Sequence, residues 1–184
     1  VIMQFAGVTH LKASHYYYKQ LSLKDGVTSA VRCILTDKQG FVWIGTKAGV
    51  SRYDGHELKK YVHSPNNPQS IPNNLIHQIA EDEMSNIWIL TDKGIARYQR
   101  QSDDFFLPAD EKGNPIIAYS TCLTKDGVLF GSKDKVYFYS YRDSSLRLLQ
   151  KLNKGSNFNI SLLSLWDEHT VLCCSRWQGL VLLD

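Results

Sequence analysis

The sequence has 184 residues, 43% of them hydrophobic and 21% charged, which excludes a disordered chain and suits one domain with a packed core. The net charge of +3 is small and the Lys and Arg residues are scattered, so no basic stripe predicts contact with nucleic acid. No apolar stretch is long enough to cross a bilayer as a helix.

The first fourteen residues, 1–14, have two interpretations. Their apolar run followed by Leu11-Lys12-Ala13 is compatible with the remnant of a secretory signal peptide. The other interpretation is a leading strand. Beyond them, aromatic and then alternating apolar residues predict a strand over 16–23, which the turn pair Asp25-Gly26 ends.

A repeat organises the rest of the chain. Shifted by 45 positions, residues 31–61 align with residues 76–106 without a gap. Eight aligned pairs are identical: Ile34 and Ile79, Asp37 and Asp82, Trp43 and Trp88, Ile44 and Ile89, Thr46 and Thr91, Gly49 and Gly94, Arg52 and Arg97, Tyr53 and Tyr98. A period of this length predicts a solenoid or a propeller.

Each of the first two units predicts an antiparallel meander of four strands. In the first unit, the turns Asp37 to Gly40, Lys47 to Gly49 and Asp54-Gly55 separate strands at 31–36, 41–46, 50–54 and 57–62. The second of these strands is apolar at nearly every position, which predicts a sheet packed on both faces. A polar link over 63–74 leads to the second unit, with strands at 75–81, 86–91, 95–100 and 105–107.

The third and fourth units match the repeat weakly. After the turn Lys125-Asp126-Gly127, the third unit predicts strands at 128–132, 136–141 and 146–152. For the last of these, the leucines of SLRLLQKL leave one or two helical turns as an alternative. The fourth unit predicts strands at 160–166, 170–175 and 180–184.

These units predict an all-β fold, a β-propeller built of four-stranded antiparallel blades. About four blades are present, at about 27–63, 74–108, 115–153 and 159–184, so residues 15–184 form a partial propeller in which 16–23 belongs to a neighbouring or closing blade. Trp43 and Trp88 occupy the same place in successive blades. We expect their rings to fill the space between sheets about 10 Å apart.

The units resemble two-component regulator propeller repeats, whose approximate pattern is V-x-x-I-x-x-D-x-x-G-x-x-W-I-G-T-x-x-G-L-x-R-Y-D. The first unit follows this pattern almost throughout, with Val50 in place of leucine, and the second has Ser85 and Leu90 in place of two glycines. The stretch YKQLSLKDGVTSAVRCI also resembles the start of the sensor region of Bacteroidetes hybrid two-component proteins.

The resemblance implies a periplasmic sensor that lies ahead of a membrane span, a histidine kinase and a response regulator. Family propellers usually have seven blades, so these units would be part of a larger one, and the remaining blades and a second propeller of the same chain would be its partners. Further implied partners are an oligosaccharide ligand, which controls genes for polysaccharide utilisation, and a second receptor copy in a homodimer. No cofactor and no nucleic-acid contact are implied for this region.

Strand direction predicts where a ligand could bind. In an antiparallel blade, the link between blades and the turn between the second and third strands lie at the same end. Sugars are bound by amide, ammonium and guanidinium groups beside an exposed aromatic ring. The candidate ligand-binding residues at this end are Lys47, Lys93, Lys133, Arg176, Trp177, Asn66, Asn67, Gln69, Asn73 and Asn74. The alternatives are that Trp177 caps a gap between blades or packs on a missing neighbour, and that the lysines are ordinary solvated turn residues.

No motif predicts a catalytic residue, a metal ligand or a cofactor. The six histidines lack metal-binding spacing, and no G-x-S-x-G elbow is present. Cys33, Cys122, Cys173 and Cys174 lack Cys-x-x-Cys spacing, so we expect structural thiols, with a disulfide between distant strands as the alternative. Alternative functions are a streptogramin-lyase-like or sialidase-like propeller enzyme and a protein-interaction scaffold.

Overall fold

The computed structural model describes residues 30–152 and 158–183, and within these ranges fifteen strands form four antiparallel sheets. Sheet 1 contains β1 (Val31–Thr36), β2 (Val42–Thr46), β3 (Gly49–Tyr53) and β4 (Leu58–Tyr61), and sheet 2 contains β5 (Ile76–Glu81), β6 (Ile87–Thr91), β7 (Gly94–Gln99) and β8 (Asp104–Phe106). Sheet 3 contains β9 (Ser120–Thr124), β10 (Gly127–Ser132), β11 (Lys135–Ser140) and β12 (Leu146–Lys151), and sheet 4 contains β13 (Ile160–Leu165), β14 (Val171–Ser175) and β15 (Gly179–Leu183). The predicted segment 1–14 and the predicted strand 16–23 lie outside the described residues.

Every sheet is a meander in which strands adjacent in sequence are hydrogen-bonded neighbours. This confirms the predicted antiparallel blades, and the observed strand bounds differ from the predicted ones by about one residue. In sheet 3, β12 pairs with β11, so the helical alternative for SLRLLQKL is wrong. Strand β9, which precedes the turn at Lys125, had no separate prediction because the repeat motif is lost there. No helix long and apolar enough to span a membrane occurs among the residues described.

Three apolar clusters hold consecutive sheets together. The cluster between sheets 1 and 2 contains Trp43 with Tyr98 of sheet 2, and the cluster between sheets 2 and 3 contains Trp88 with Tyr139 of sheet 3. Both tryptophans are 0% exposed, and each packs edge-on against its tyrosine, with ring centroids 4.9 Å and 4.8 Å apart. The predicted packing role of both tryptophans is therefore confirmed.

The third cluster, between sheets 3 and 4, uses leucine where the other clusters use tryptophan. Leu129 packs there with Cys122 of sheet 3 and Cys173 of sheet 4. All four cysteines of the chain are free, so the disulfide alternative is wrong and the expected structural thiols are confirmed. Burial raises the pKa of the Cys173 thiol to about 11, which keeps the thiol protonated and inert.

The glycine of the W-I-G-T motif marks the place where the next sheet comes closest. A Cβ atom on Gly45 would lie 2.4 Å from Sγ of Cys33 and 2.8 Å from Cγ2 of Ile76, the first residue of the next sheet. Gly131 of sheet 3 stands in the same relation to Ile160, at 2.6 Å. Sheet 2 has the larger Leu90 at this position, and Leu90 is buried in the cluster between sheets 2 and 3.

Candidate functional site

The turns between second and third strands lie beside the links between sheets, as strand direction predicts. The N–H of Gly49 donates to the carbonyl oxygen of Asn74 at 2.8 Å, and the N–H of Asp92 donates to that of Leu75 at 3.2 Å. In sheet 3, the carbonyl of Lys133 accepts from the N–H of Ile160 at 2.8 Å. One end of the sheets, called the link end below, thus presents the exposed Lys47, Lys93 and Lys133, together with Asn73 and Asn74.

The other predicted residues of the first link lie elsewhere. The N–H of Phe105 in the outer strand β8 donates to the carbonyl of Gln69 at 3.0 Å. Asn67 and Gln69 line a cavity of about 240 Å³ that also touches Tyr61 of the outer strand β4 and Asp103. Asn66, the exposed neighbour of Asn67, belongs to the same part of the link. The link therefore runs along the outer edge of the sheets before it reaches the link end, and the structure does not bring all ten predicted residues together.

Three of the predicted asparagines shape the link itself. The Oδ1 atom of Asn67 accepts from the N–H of Gln69 at 3.0 Å, that of Asn73 accepts from Leu75 at 2.9 Å, and that of Asn74 accepts from His63 at 2.7 Å. These bonds hold the backbone in turns. Each of these side chains thus has a structural role in addition to any contact with a ligand.

Trp177 and Arg176 form an exposed pair in the turn between β14 and β15. The Trp177 side chain is 83% exposed, and the guanidinium carbon of Arg176 lies 5.6 Å from the ring centroid. A cation at this distance is attracted to the ring and orients it. The pair combines an apolar surface with hydrogen-bond donors, which are the two elements of a sugar platform.

Two turn aspartates that the repeat pattern placed at the opposite end are buried structural acceptors. Oδ2 of Asp37 accepts from the Trp43 indole N–H at 2.9 Å, and Oδ2 of Asp82 accepts from the Trp88 indole N–H at 2.7 Å. Burial by itself would raise the pKa of Asp37, but hydrogen bonds from Trp43 and the Phe41 amide lower it below its usual value. The constant spacing of aspartate and tryptophan in both units could have indicated this pairing.

Hydrogen bonds from Arg100 connect sheets 1 and 2 at that opposite end. Its guanidinium donates to Oδ2 of Asp37 at 3.1 Å and to Oε1 of Gln39 at 2.8 Å, both in sheet 1's first turn. Its Nε donates to the carbonyl of Ser85 at 3.4 Å. Glu81 lies 3.8 Å from the guanidinium, and its side chain is only 7% exposed. No repeat position marks Arg100, so sequence reasoning gave no signal for it.

A second connection between sheets, a hydrogen bond between the arginine and the tyrosine of the motif, recurs from one sheet to the next. Arg52 of sheet 1 donates to the hydroxyl of Tyr98 in sheet 2, and Arg97 of sheet 2 donates to that of Tyr139 in sheet 3 at 2.5 Å. Sheet 3 has Phe138 at the arginine position, which ends the series. The arginine and tyrosine of the motif therefore join different blades.

Asp103 accepts hydrogen bonds from the groups around the bond between Arg52 and Tyr98. It accepts from the hydroxyls of Tyr61 at 2.6 Å and Tyr98 at 2.5 Å, and it pairs with Lys59 and, at 3.5 Å, with Arg52. Burial would raise the pKa of Asp103, but hydrogen bonds from Lys59, Tyr61 and Tyr98 lower it to about 2. These partners satisfy the carboxylate within the protein, so we interpret the cluster as structural.

A cleft of about 650 Å³ lies at the end of the sheets opposite the link end. It is lined by residues 84–86 and 97–102 of sheet 2, and by Gln39 of sheet 1. Because the sequence-based search for a site considered only the link end, this cleft was missed. Among the described residues, no group of three His, Cys, Asp or Glu side chains could hold a metal ion, here or elsewhere.

These sheets and their repeating contacts define a β-propeller. Residues 25–48 match the family model described as Two component regulator propeller. The chain is also 35% identical over 74 residues to histidine kinase P4 of Formosa agariphila, a match that covers 39% of this chain and 5% of the relative. The resemblance stated from the sequence is confirmed: the chain carries a two-component regulator propeller repeat.

Solved structures share the fold. The extracellular domain of the hybrid two component system BT3049 of B. thetaiotaomicron superposes with a TM-score of 0.74 at 18% identity, over 90% of this chain and 25% of that one. The corresponding domain of BT4673 gives 0.65 at 23% identity, over 85% of this chain and 20% of that one. The predicted propeller fold is thereby confirmed, and the chain spans a quarter or less of each of these chains.

Proposed function

We propose that this propeller is the ligand-sensing region of a hybrid two-component signalling protein. The observation that carries the proposal is the two-component regulator propeller repeat at residues 25–48. The fold shared with extracellular domains of hybrid two component systems supports it. The region would lie in the periplasm and bind an oligosaccharide, and the bound form would favour one arrangement of the receptor and so control genes for polysaccharide utilisation.

The link end is the proposed place of sugar binding. Trp177 and Arg176 supply the platform there, and the exposed lysines of the equivalent turns in sheets 1 to 3 supply charged donors at the same end. A sugar ring stacks its apolar face on an indole, while its hydroxyls accept from cationic donors. Trp177 is the residue on which binding would depend most.

The complete natural protein, titrated calorimetrically with a panel of plant and microbial oligosaccharides, tests this proposal. We expect saturable binding of one class of oligosaccharide. Trp177→Ala should weaken this binding about tenfold or more, because it removes a stacking contact of roughly 1.4 kcal/mol, and a loss of that size corresponds to a tenfold change in affinity. Trp166→Ala is the matched control, because Trp166 is 68% exposed but lies in the turn between the first and second strands of sheet 4, at the opposite end. Absence of heat and of any melting shift across the panel would refute the proposal.

Two histidines lie near the link end, His77, whose Nε2 lies 3.2 Å from Oδ1 of Asp92, and His63, whose N–H donates to Oδ1 of Asn74. Nδ1 of His63 lies 2.9 Å from the carbonyl oxygen of Ile71, which can only accept, so Nδ1 carries the proton and donates. This bond fixes the course of the link. The sensor remains the function that the family match and the shared fold support best.

A further inference from the structure

The cleft opposite the link end has dimensions and chemistry of its own. Its volume of about 650 Å³ is in the range of small-molecule sites, and it contains residues from two neighbouring turns of sheet 2 together with Gln39 of sheet 1. Arg97 and Arg100 line it, and no Asp or Glu side chain does. The lining of the cleft therefore contains two cations, of which Arg100 is paired with Asp37 and Glu81.

The nearby carboxylates do not neutralise both arginines. Asp37 and Glu81 are both paired with Arg100, and Asp82 accepts from the Trp88 indole and from Asn86. None of the ion pairs among the described residues includes Arg97. A partly buried guanidinium without a counter-ion is costly, and an anion bound beside it would offset that cost.

The geometry of the two guanidinium groups is fixed before any ligand arrives. Arg100 is held by Asp37, Gln39 and the Ser85 carbonyl, bonds that use three of its five N–H donors. Arg97 donates one bond to Tyr139, and its guanidinium carbon lies 5.0 Å from the centroid of the Phe106 ring. The remaining donors are presented at little entropic cost, in the forked arrangement that matches a carboxylate or a sulfate.

Side chains for the neutral part of such a ligand are also present. Gln101 and Ser102 are exposed on the turn that borders the cleft, and the Gln39 side chain contributes an amide. Met84 is 65% exposed and lends an apolar surface. Amides and hydroxyls next to a small apolar patch suit a sugar ring that carries an acidic group.

We propose that this cleft binds an acidic oligosaccharide, with Arg97 and Arg100 on the carboxylate of a uronic acid or on a sulfate ester. The proposal rests on the proposed function for the saccharide nature of the ligand, and it adds the acidic class and a second place of binding. Arg97 is its central residue, since a bound anion provides the counter-ion that this side chain lacks.

The test compares three probes in calorimetry on the complete natural protein: a short oligogalacturonate, a sulfated galactan oligosaccharide and a neutral galactan oligosaccharide of equal length. We expect the acidic probes to bind more tightly than the neutral one, and their affinity to fall as salt is added. The acidic probe that binds with the higher affinity shows whether the cleft prefers a carboxylate or a sulfate ester. Equal affinity for acidic and neutral probes would overturn the proposal.

Substitutions locate the binding. Arg97→Gln should weaken the acidic probe about tenfold or more, and Arg97→Lys should weaken it less. Arg147→Gln is the control, because it removes an exposed arginine that stacks on Phe138 outside the cleft. It should stay within about twofold of the natural protein. If Arg147→Gln reproduces the loss seen in Arg97→Gln, the effect comes from net charge alone and the proposal fails.

The two proposals fail differently. If saccharide binding is lost in Trp177→Ala but is unchanged in Arg97→Gln, the acidic cleft is refuted while the sensor function stands. If no saccharide of any class binds, the sensor proposal fails and the cleft proposal falls with it.

Discussion

At the scale of single residues, Asp103 is a carboxylate that joins sheets 1 and 2. Two tyrosine hydroxyls, a lysine and an arginine converge on its carboxylate from both sheets 1 and 2. The negative charge is thus part of the join between sheets, and its protonation should be visible in stability.

We predict that Asp103 makes stability depend on acid pH. Its folded-state pKa of about 2 lies below the ordinary value near 3.8, so its contribution is fully present above about pH 4 and is lost as pH falls towards 2. The side chain is partly exposed, so we expect a contribution on the order of 1 kcal/mol after solvent screening. Urea unfolding between pH 5 and 2, within the range set by these pKa values, should show a flatter profile for Asp103→Asn.

Glu111→Gln is the control, because it removes the same charge from an exposed position on the link after sheet 2. Its pH profile should follow that of the natural protein. Parallel profiles for the natural protein and Asp103→Asn would show that the carboxylate does not stabilise the fold as the geometry indicates.

At the scale of elements, the motif residues that look like features of one strand are contacts between strands of different sheets. The arginine at position 52 or 97 reaches the tyrosine of the following sheet, which is why the pair recurs with the period of the repeat. A repeat of this kind specifies both the blade and its neighbour.

We predict that removal of equivalent hydroxyls from consecutive sheets has unequal effects. Tyr98→Phe breaks bonds to both Arg52 and Asp103 and leaves a partly buried charge cluster short of a donor, so it should lower the free energy of unfolding by roughly 1–3 kcal/mol. Tyr139→Phe breaks only the bond from Arg97 and should cost about 1 kcal/mol or less. Chemical denaturation of both variants measures the difference, and equal losses would contradict the role assigned to Asp103.

Most strands could be predicted because period and polarity repeat, but interactions across sheets could not. The pattern located β1 at its observed bounds, while β9 was missed because its unit has lost the motif. For the site, strand direction correctly placed the turn lysines at the link end. It could not show that Gln69 lies along β8, because the path of a link depends on tertiary contacts such as the bond from Phe105.

At the scale of the whole molecule, each of sheets 1 to 3 has one apolar face that packs against the following sheet and is buried by it. The register shows which residues of sheet 4 correspond to that face: Leu180 pairs with Cys174 as Val50 pairs with Gly45. Val50 is 0% exposed, whereas Leu180 is 66% exposed and Leu182, two residues further, is 54% exposed. The fourth sheet thus carries the same apolar face, and none of the other sheets formed by residues 30–152 and 158–183 covers it.

We predict that a further sheet of the same kind covers this face in the complete natural protein. Leu180→Ala should then lower its free energy of unfolding by about 2–5 kcal/mol, since the substitution would remove a buried leucine from a packed interface. Leu149→Ala is the matched control, because Leu149 is 51% exposed at the irregular pairing of the outer strand β12, and its loss should cost within about 0.5 kcal/mol. Thermal or urea unfolding of the region that contains both residues measures the loss of stability in each of the two variants. Equal, small losses would mean that Leu180 faces solvent, and that the stacking seen three times in this chain does not continue past sheet 4.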